Sequence, residues 1–125
     1  MESYRELVVW RKAVDLVSEI YALTKALPES ERFGLTSQLR RAAVSVPSVL
    51  AEGHARSSTR EFMRYVSMSM GSLAEMETQL VIAGNLGFLE ESSIASVLGS
   101  CSEVGRMLRG LRKSLESRPD VQNRP

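Results

Sequence analysis

The chain has 125 residues, 43% hydrophobic and 25% charged, which is the length of one domain and the balance of an ordinary globular protein. Its 16 Lys+Arg against 15 Asp+Glu leave a formal charge of +1, without the basic excess usual in a dedicated nucleic-acid binder. The single cysteine excludes an internal disulfide and a cysteine metal cluster, and no apolar run approaches the roughly 18 residues of a membrane span.

The N-terminal segment MESYRELVVWRKA alternates charged and apolar residues too quickly for a signal-peptide core, which predicts a soluble cytoplasmic protein. Helical periodicity begins there and runs from about Glu6 to Ala26. Trp10, Ala13, Val14, Val17, Ile20 and Tyr21 make one stripe, and Val9, Leu16, Leu23 and Leu27 widen it to about half the circumference. An arc that wide can serve more than one neighbour. Pro28 closes the segment, because the residue before a proline is pushed out of the helical region.

The stretch PESERFG reads as a connection with room for a short helical turn. A second helix is expected from about Leu35 to Glu52, with Leu35, Leu39, Ala42, Ala43, Val46, Val49 and Leu50 on its apolar face. Pro47 lies inside this pattern, but the spacing continues in phase beyond it, so a kink is expected rather than a break. Gly53 is the candidate C-cap. Ser58-Thr59-Arg60-Glu61 then has the spacing of a capping box.

The third helix follows, with Phe62, Val66, Ser69, Leu73, Met76, Leu80 and Ala83 alternating steps of four and three. From Thr59 to Leu86 it spans about 40 Å. Gly71 and Ser72 near its middle are small enough for a neighbouring backbone to come close. Gly84 to Gly87 supplies the stop. The last helix is expected to start near Ser92 or Ser93, with Ile94, Val97, Cys101, Val104, Leu108, Leu111 and Leu115 in one register. Gly99, Gly105 and Gly110 each cost it about 1 kcal/mol relative to alanine, which packing must offset. Residues 1–117 are thus expected to form one all-α, antiparallel, up-and-down four-helix bundle, and 118–125 a disordered tail.

Longer strings make the chain recognisable. LVVWRKAVDLVSEIYALT, PESERFGLTSQLRRAAVSVPS, AEG at 51–53 and GSLAEMETQLVIAGNLGFL occur in that order, and over about residues 5–90 the chain resembles the bacterial 23S ribosomal RNA intervening-sequence proteins, also called the S23 ribosomal protein family. The resemblance implies a four-helix bundle, assembly into a ring-shaped homopentamer as in some members, and genes often found within inserts of ribosomal RNA genes. Members are not established as ribosome components. A more distant bundle class assists reverse transcriptases and binds nucleic acid through a basic pentameric surface, a link of fold alone. Where the family usually has an asparagine after the proline, this chain has Val49, so no polar role at that position carries over.

Candidate chemistry is sparse. His54 is the lone histidine, and a di-metal bundle needs Glu-x-x-His pairs from two helices, so that chemistry is excluded and His54 is expected in an exposed capping or loop role. Cys101 lies on an apolar stripe and is expected to be a buried, inert thiol. No P-loop, dinucleotide turn or array of stacking aromatics is present. No catalytic residue, cofactor, metal, membrane contact or small-molecule substrate is therefore expected.

Two groups of residues remain. Gln38, Arg41, Glu52 and Glu75 are candidates for a polar network that fixes helix register or subunit pairing. Arg40, Arg56, Arg60 and Arg64, with Arg106, Arg109, Arg112 and Lys113, are candidates for nucleic-acid binding, to RNA or an RNA–DNA intermediate. Repeated around a ring they would make a positive surface that the net charge conceals. The wide arc of the first helix, together with Met63, Met68, Met70 and Met76 on the third, predicts self-association. The expected protein is a non-enzymatic binding or scaffold module, with nucleic-acid binding as the alternative.

Overall fold

The structure is a computed structural model that describes residues 3–118. Apart from Arg118, the tail expected at 118–125 lies outside the described residues. Among those residues there are four α-helices and no strand: α1 (Val8–Thr24), α2 (Leu35–His54), α3 (Thr59–Asn85) and α4 (Glu91–Glu116). Short 3-10 turns at Tyr4–Glu6 and Glu29–Glu31 precede α1 and α2. Each helix packs on its neighbours in sequence and α1 also packs on α4, which closes an antiparallel bundle with α2 diagonal to α4.

The ends of the long helices follow from local chemistry. Ser58 has extended backbone and its Oγ accepts from the Glu61 N–H at 3.0 Å, satisfying a free donor of α3. At the other end Gly87 takes φ +75°, the Phe88 N–H reaches the Ala83 carbonyl, and the Gly87 N–H reaches that of Gly84. That pattern is a Schellman motif, and it needs a residue without Cβ at the left-handed position. The helix α4 begins at Glu91, one or two residues before the expected serines, with carboxylates at the positive end of its dipole.

The core is one cluster drawn from all four helices, with Leu16, Ile20, Leu39, Val46, Leu50, Val66, Met76, Leu80, Cys101 and Leu108 essentially inaccessible. In α1 the buried line is Val9, Ala13, Leu16 and Ile20, so the stripe expected through Val14 and Tyr21 is rotated and those two side chains are exposed. The helix α2 continues past Pro47 to His54. Proline contributes no N–H to the ladder, and beside it the buried Ser69 of α3 donates to the Val46 carbonyl at 3.0 Å.

The glycines are used differently from the expectation. Gly53 does not cap α2 but lies buried inside it, where a Cβ would overlap Tyr65 Cβ and sit 3.0 Å from its Cγ. It is a packing glycine, and it sets how closely α2 approaches α3. Gly71, expected at a close approach, is exposed with nothing within 4 Å of a Cβ. In α4 only Gly105 is buried, against Leu73; Gly99 and Gly110 face open space, so no packing offsets their cost.

Candidate functional site

Reactive groups come first. Cys101 is wholly buried, and burial, followed by the carboxylates of Glu77 and Glu19, pushes its thiol up to about 12. At neutral pH it is a protonated core residue and not a nucleophile. His54 is half-buried, edge-on to Phe62 with ring centroids 5.5 Å apart. The groove beside it, about 360 Å³, is lined by Leu7, Arg56, Phe62, Leu111, Leu115 and the segment 57–59 with Arg118. No carboxylate lines that groove to orient the imidazole. No group of three His, Cys, Asp or Glu suited to a metal ion occurs among the described residues.

The basic residues divide by position in the fold. Arg40 lies with the C-terminus of α1: its Nε donates to Thr24 Oγ1 at 2.9 Å, and its guanidinium stacks 4.4 Å from the centre of the Tyr21 ring. It ties α1 to α2 and stands apart from the others. Arg56 bonds the Tyr65 hydroxyl at 2.7 Å and pairs with Glu52 at 3.2 Å. Most of the remaining cations lie towards one end of the bundle, because antiparallel packing sets the start of α3 beside the end of α4, whereas Arg106 is level with Leu73 near the middle of α3. Arg112 bridges the two helices, its Nη1 donating to Ser67 Oγ at 3.3 Å.

Ser67 lies three residues after Arg64 and seven after Arg60, on one side of α3. Arg106, Arg109 and Lys113 follow each other at spacings of three and four along exposed α4. Arg106 bonds its own helix at Ser102, whereas Arg60, Arg109 and Lys113 carry no partner among the described residues. Two clusters separate in sequence thus become one basic surface. Along the sequence, residues 65–105 contain five Glu and no Lys or Arg, but packing brings Glu77 into the groove that Arg109 lines, and Glu61 and Glu116 lie among the cations.

The four candidate network residues do not join within one chain. Gln38 accepts from Gln79 Nε2 at 3.4 Å and Glu52 pairs with Arg56. Arg41 and Glu75 are exposed and hold neither an ion pair nor a hydrogen bond among the described residues. Gln79 itself is buried, and its Oε1 has no donor.

A surface that sequence reasoning did not locate lies around α2. Phe33 is 86% exposed, and with Tyr21, Val44, Val49, Arg32, Arg40 and Arg41 it lines an open groove of about 660 Å³. On the other flank of α2, Met68, Ile82 and Leu86 are exposed. They lie one turn from Ser72 and two from Gln79, or adjacent to it at spacing three, and these two residues bond Ser45 and Gln38 of α2. No large hydrophobic side chain of α4 is exposed. The signal was present in part: Val14 and Tyr21, seven apart, belong to the over-wide arc of α1.

Comparison with known proteins agrees with this architecture. The chain matches the family described as 23S rRNA-intervening sequence protein over residues 5–110. Its fold is similar to the crystal structure of a protein of unknown function from the S23 ribosomal protein family of Bacteroides thetaiotaomicron VPI-5482, with a TM-score of 0.79 at 20% identity. That match covers 85% of this chain and 99% of the other. No curated protein matches the chain. With four helices in the expected order and a family match extending across nearly all of them, the chain belongs to the 23S rRNA-intervening sequence protein family.

Proposed function

We propose that this protein is a non-enzymatic bundle of the bacterial cytoplasm that self-associates and works as a binding or scaffold module. One observation carries the reading. Among the described residues, seven of the nine exposed large apolar side chains lie around α2 (Val14, Tyr21, Phe33, Val44, Met68, Ile82 and Leu86), with Val8 on α1 and Val81 beside α4 as the exceptions, while α4, diagonal to α2, exposes none. Apolar patches gathered on one side and rimmed by arginines mark association surfaces. No helix among the described residues is long and apolar enough to cross a membrane, so this face is not explained as a spanning segment. Sedimentation velocity from 1 to 200 µM tests the reading and counts the subunits, five being the number the family suggests. A single species of 13.9 kDa throughout would refute it.

A second reading, nucleic-acid binding, is favoured by the merging of Arg60, Arg64, Arg109, Arg112 and Lys113 at one end of the bundle. Such a surface recognises phosphates with little sequence preference, and its affinity falls steeply with salt. Fluorescence anisotropy with structured RNA and single-stranded DNA tests it at low and physiological salt. Reversing Arg109 and Lys113 to glutamate should lower the affinity at least about tenfold, at about 1.4 kcal/mol per decade. Binding that the reversal leaves unchanged would remove this face, and no binding at low salt would remove the reading.

A further inference from the structure

We infer that a second copy of this chain docks against the α2-centred face, with Arg41 of one copy pairing with Glu75 of the other. The inference rests on the self-association reading and names its partner groups. Arg41 lies between Gln38 and Ser45 on α2, and Glu75 lies between Ser72 and Gln79 on α3. Gln38 bonds Gln79 and Ser45 bonds Ser72 at 3.0 Å, so both charges lie at one level of the bundle, bracketed by two contacts. Within the chain they nevertheless remain unpaired, each held on its own helix and each exposed.

Small polar side chains lie next to them, and exposed apolar ones flank the pair: Val44 is one turn from Arg41, and Met68 and Ile82 are each seven residues from Glu75. Bringing a second copy onto these side chains removes water from both charges. A charge desolvated without a partner is expensive, so only a docking that sets the arginine of one copy against the glutamate of the other is favourable. The face carries both signs and is therefore complementary to itself, in a two-fold pair or head-to-tail around a ring. The groove supplies the positive half, with Arg32, Arg40 and Arg41 and no carboxylate in its lining. The buried Gln79 Oε1, lacking a donor, lies on the same seam, four residues from Glu75.

The test is charge reversal read by sedimentation velocity. Arg41→Glu and Glu75→Arg should each weaken association at least tenfold while keeping the helical circular dichroism of the parent, since both side chains are exposed. Mixing the two variant chains should restore association, because each then meets the opposite charge across the interface, at every contact of a two-fold pair and at four of the five contacts of a five-membered ring. A pair formed within one chain would be restored in the double variant but never by mixing, and that outcome overturns the inference. Single reversals that leave association unchanged also overturn it, while the self-association reading survives. A monomeric parent protein overturns both. If a reversal unfolds the chain, Arg41→Gln and Glu75→Gln replace it; each should weaken association several-fold, and no change from either refutes the pairing.

Discussion

Replacing Gly53 with alanine isolates the packing of α2 on α3. In a helix interior this substitution would ordinarily stabilise by about 1 kcal/mol, because alanine loses less backbone freedom on folding. Here the added Cβ meets the Cβ and Cγ of Tyr65 and lies 3.3 Å from Phe62 Cδ1. Tyr65 Cβ is fixed to the backbone of α3 and cannot rotate away, so the two helices must separate. Overpacking of this kind costs about 1–3 kcal/mol, and with an immovable neighbour the upper end applies. The net loss is about 2 kcal/mol. For a chain of this length that is a fall of about 8 °C in Tm, taking about 2.1 cal/mol/K per residue for the unfolding entropy. Gly99→Ala is the matched control, with nothing within 4 Å of its Cβ, and it should raise Tm by about 2–4 °C. Differential scanning calorimetry of the two variants at one low concentration reads both. A Gly53→Ala protein as stable as the parent would refute the packing role, as would a Gly99→Ala protein that loses as much.

Other substitutions test separate contacts. Cys101 binds its proton more tightly when folded, so its contribution is complete below pH 9 and lost as pH rises towards 12; the full displacement from 9.0 to about 12 corresponds to about 4 kcal/mol. Urea unfolding at pH 8 and 10.5 should therefore show an extra loss of about 2 kcal/mol in the parent that Cys101→Ala lacks, and equal pH dependence in both proteins would contradict it. Ser58→Ala removes the α3 cap and should cost about 1 kcal/mol or slightly more, given that Ser58 is buried; an unchanged Tm would show the cap to be dispensable. A double-mutant cycle of Thr24→Ala with Arg40→Ala should give a coupling of about 1 kcal/mol, since the bond uses a charged donor and a buried acceptor, and additivity would argue that solvent satisfies Arg40 equally well.

Much of the architecture was legible because helical periodicity and punctuation are local. The register of α3 through Val66, Ser69, Leu73, Met76 and Leu80 could be read directly, as could the Ser58 cap and the stop at Gly87. Two positions misled for an identifiable reason. A glycine near a helix end suits either a left-handed cap or a close contact, and composition does not separate these; Gly53 proves to be a contact because Tyr65, twelve residues on, occupies the space a side chain would need. In α1 the apolar arc spans so much of the circumference that its centre is undefined by sequence, and packing on α2 and α4 selects Leu16 and Ile20 over Val14 and Tyr21.

The interaction surfaces were less legible because they depend on which residues antiparallel packing sets side by side. Arg60 and Lys113 are far apart in the chain, and only the pairing of α3 with α4, fixed at Ser67 and Arg112, brings them to the same end of the bundle. Arg41 and Glu75 were visible as candidate members of a polar network, but their lack of a partner is a property of the folded chain. The helices also differ in what they leave outside: α2 is flanked by exposed apolar side chains and arginines, whereas α4 presents glycines, serines and charges of both signs, Glu91 and Glu116 among them. Since α2 and α4 lie on opposite corners, a two-fold assembly that buries the α2 face leaves α4 on the far side of each copy. Self-association and a basic outer surface are therefore compatible consequences of one arrangement. If copies join through α2, Arg106, Arg109, Arg112 and Lys113 in the second half of α4 are repeated around the outside, so a charge of +1 per chain becomes a repeated positive patch at one end of each copy.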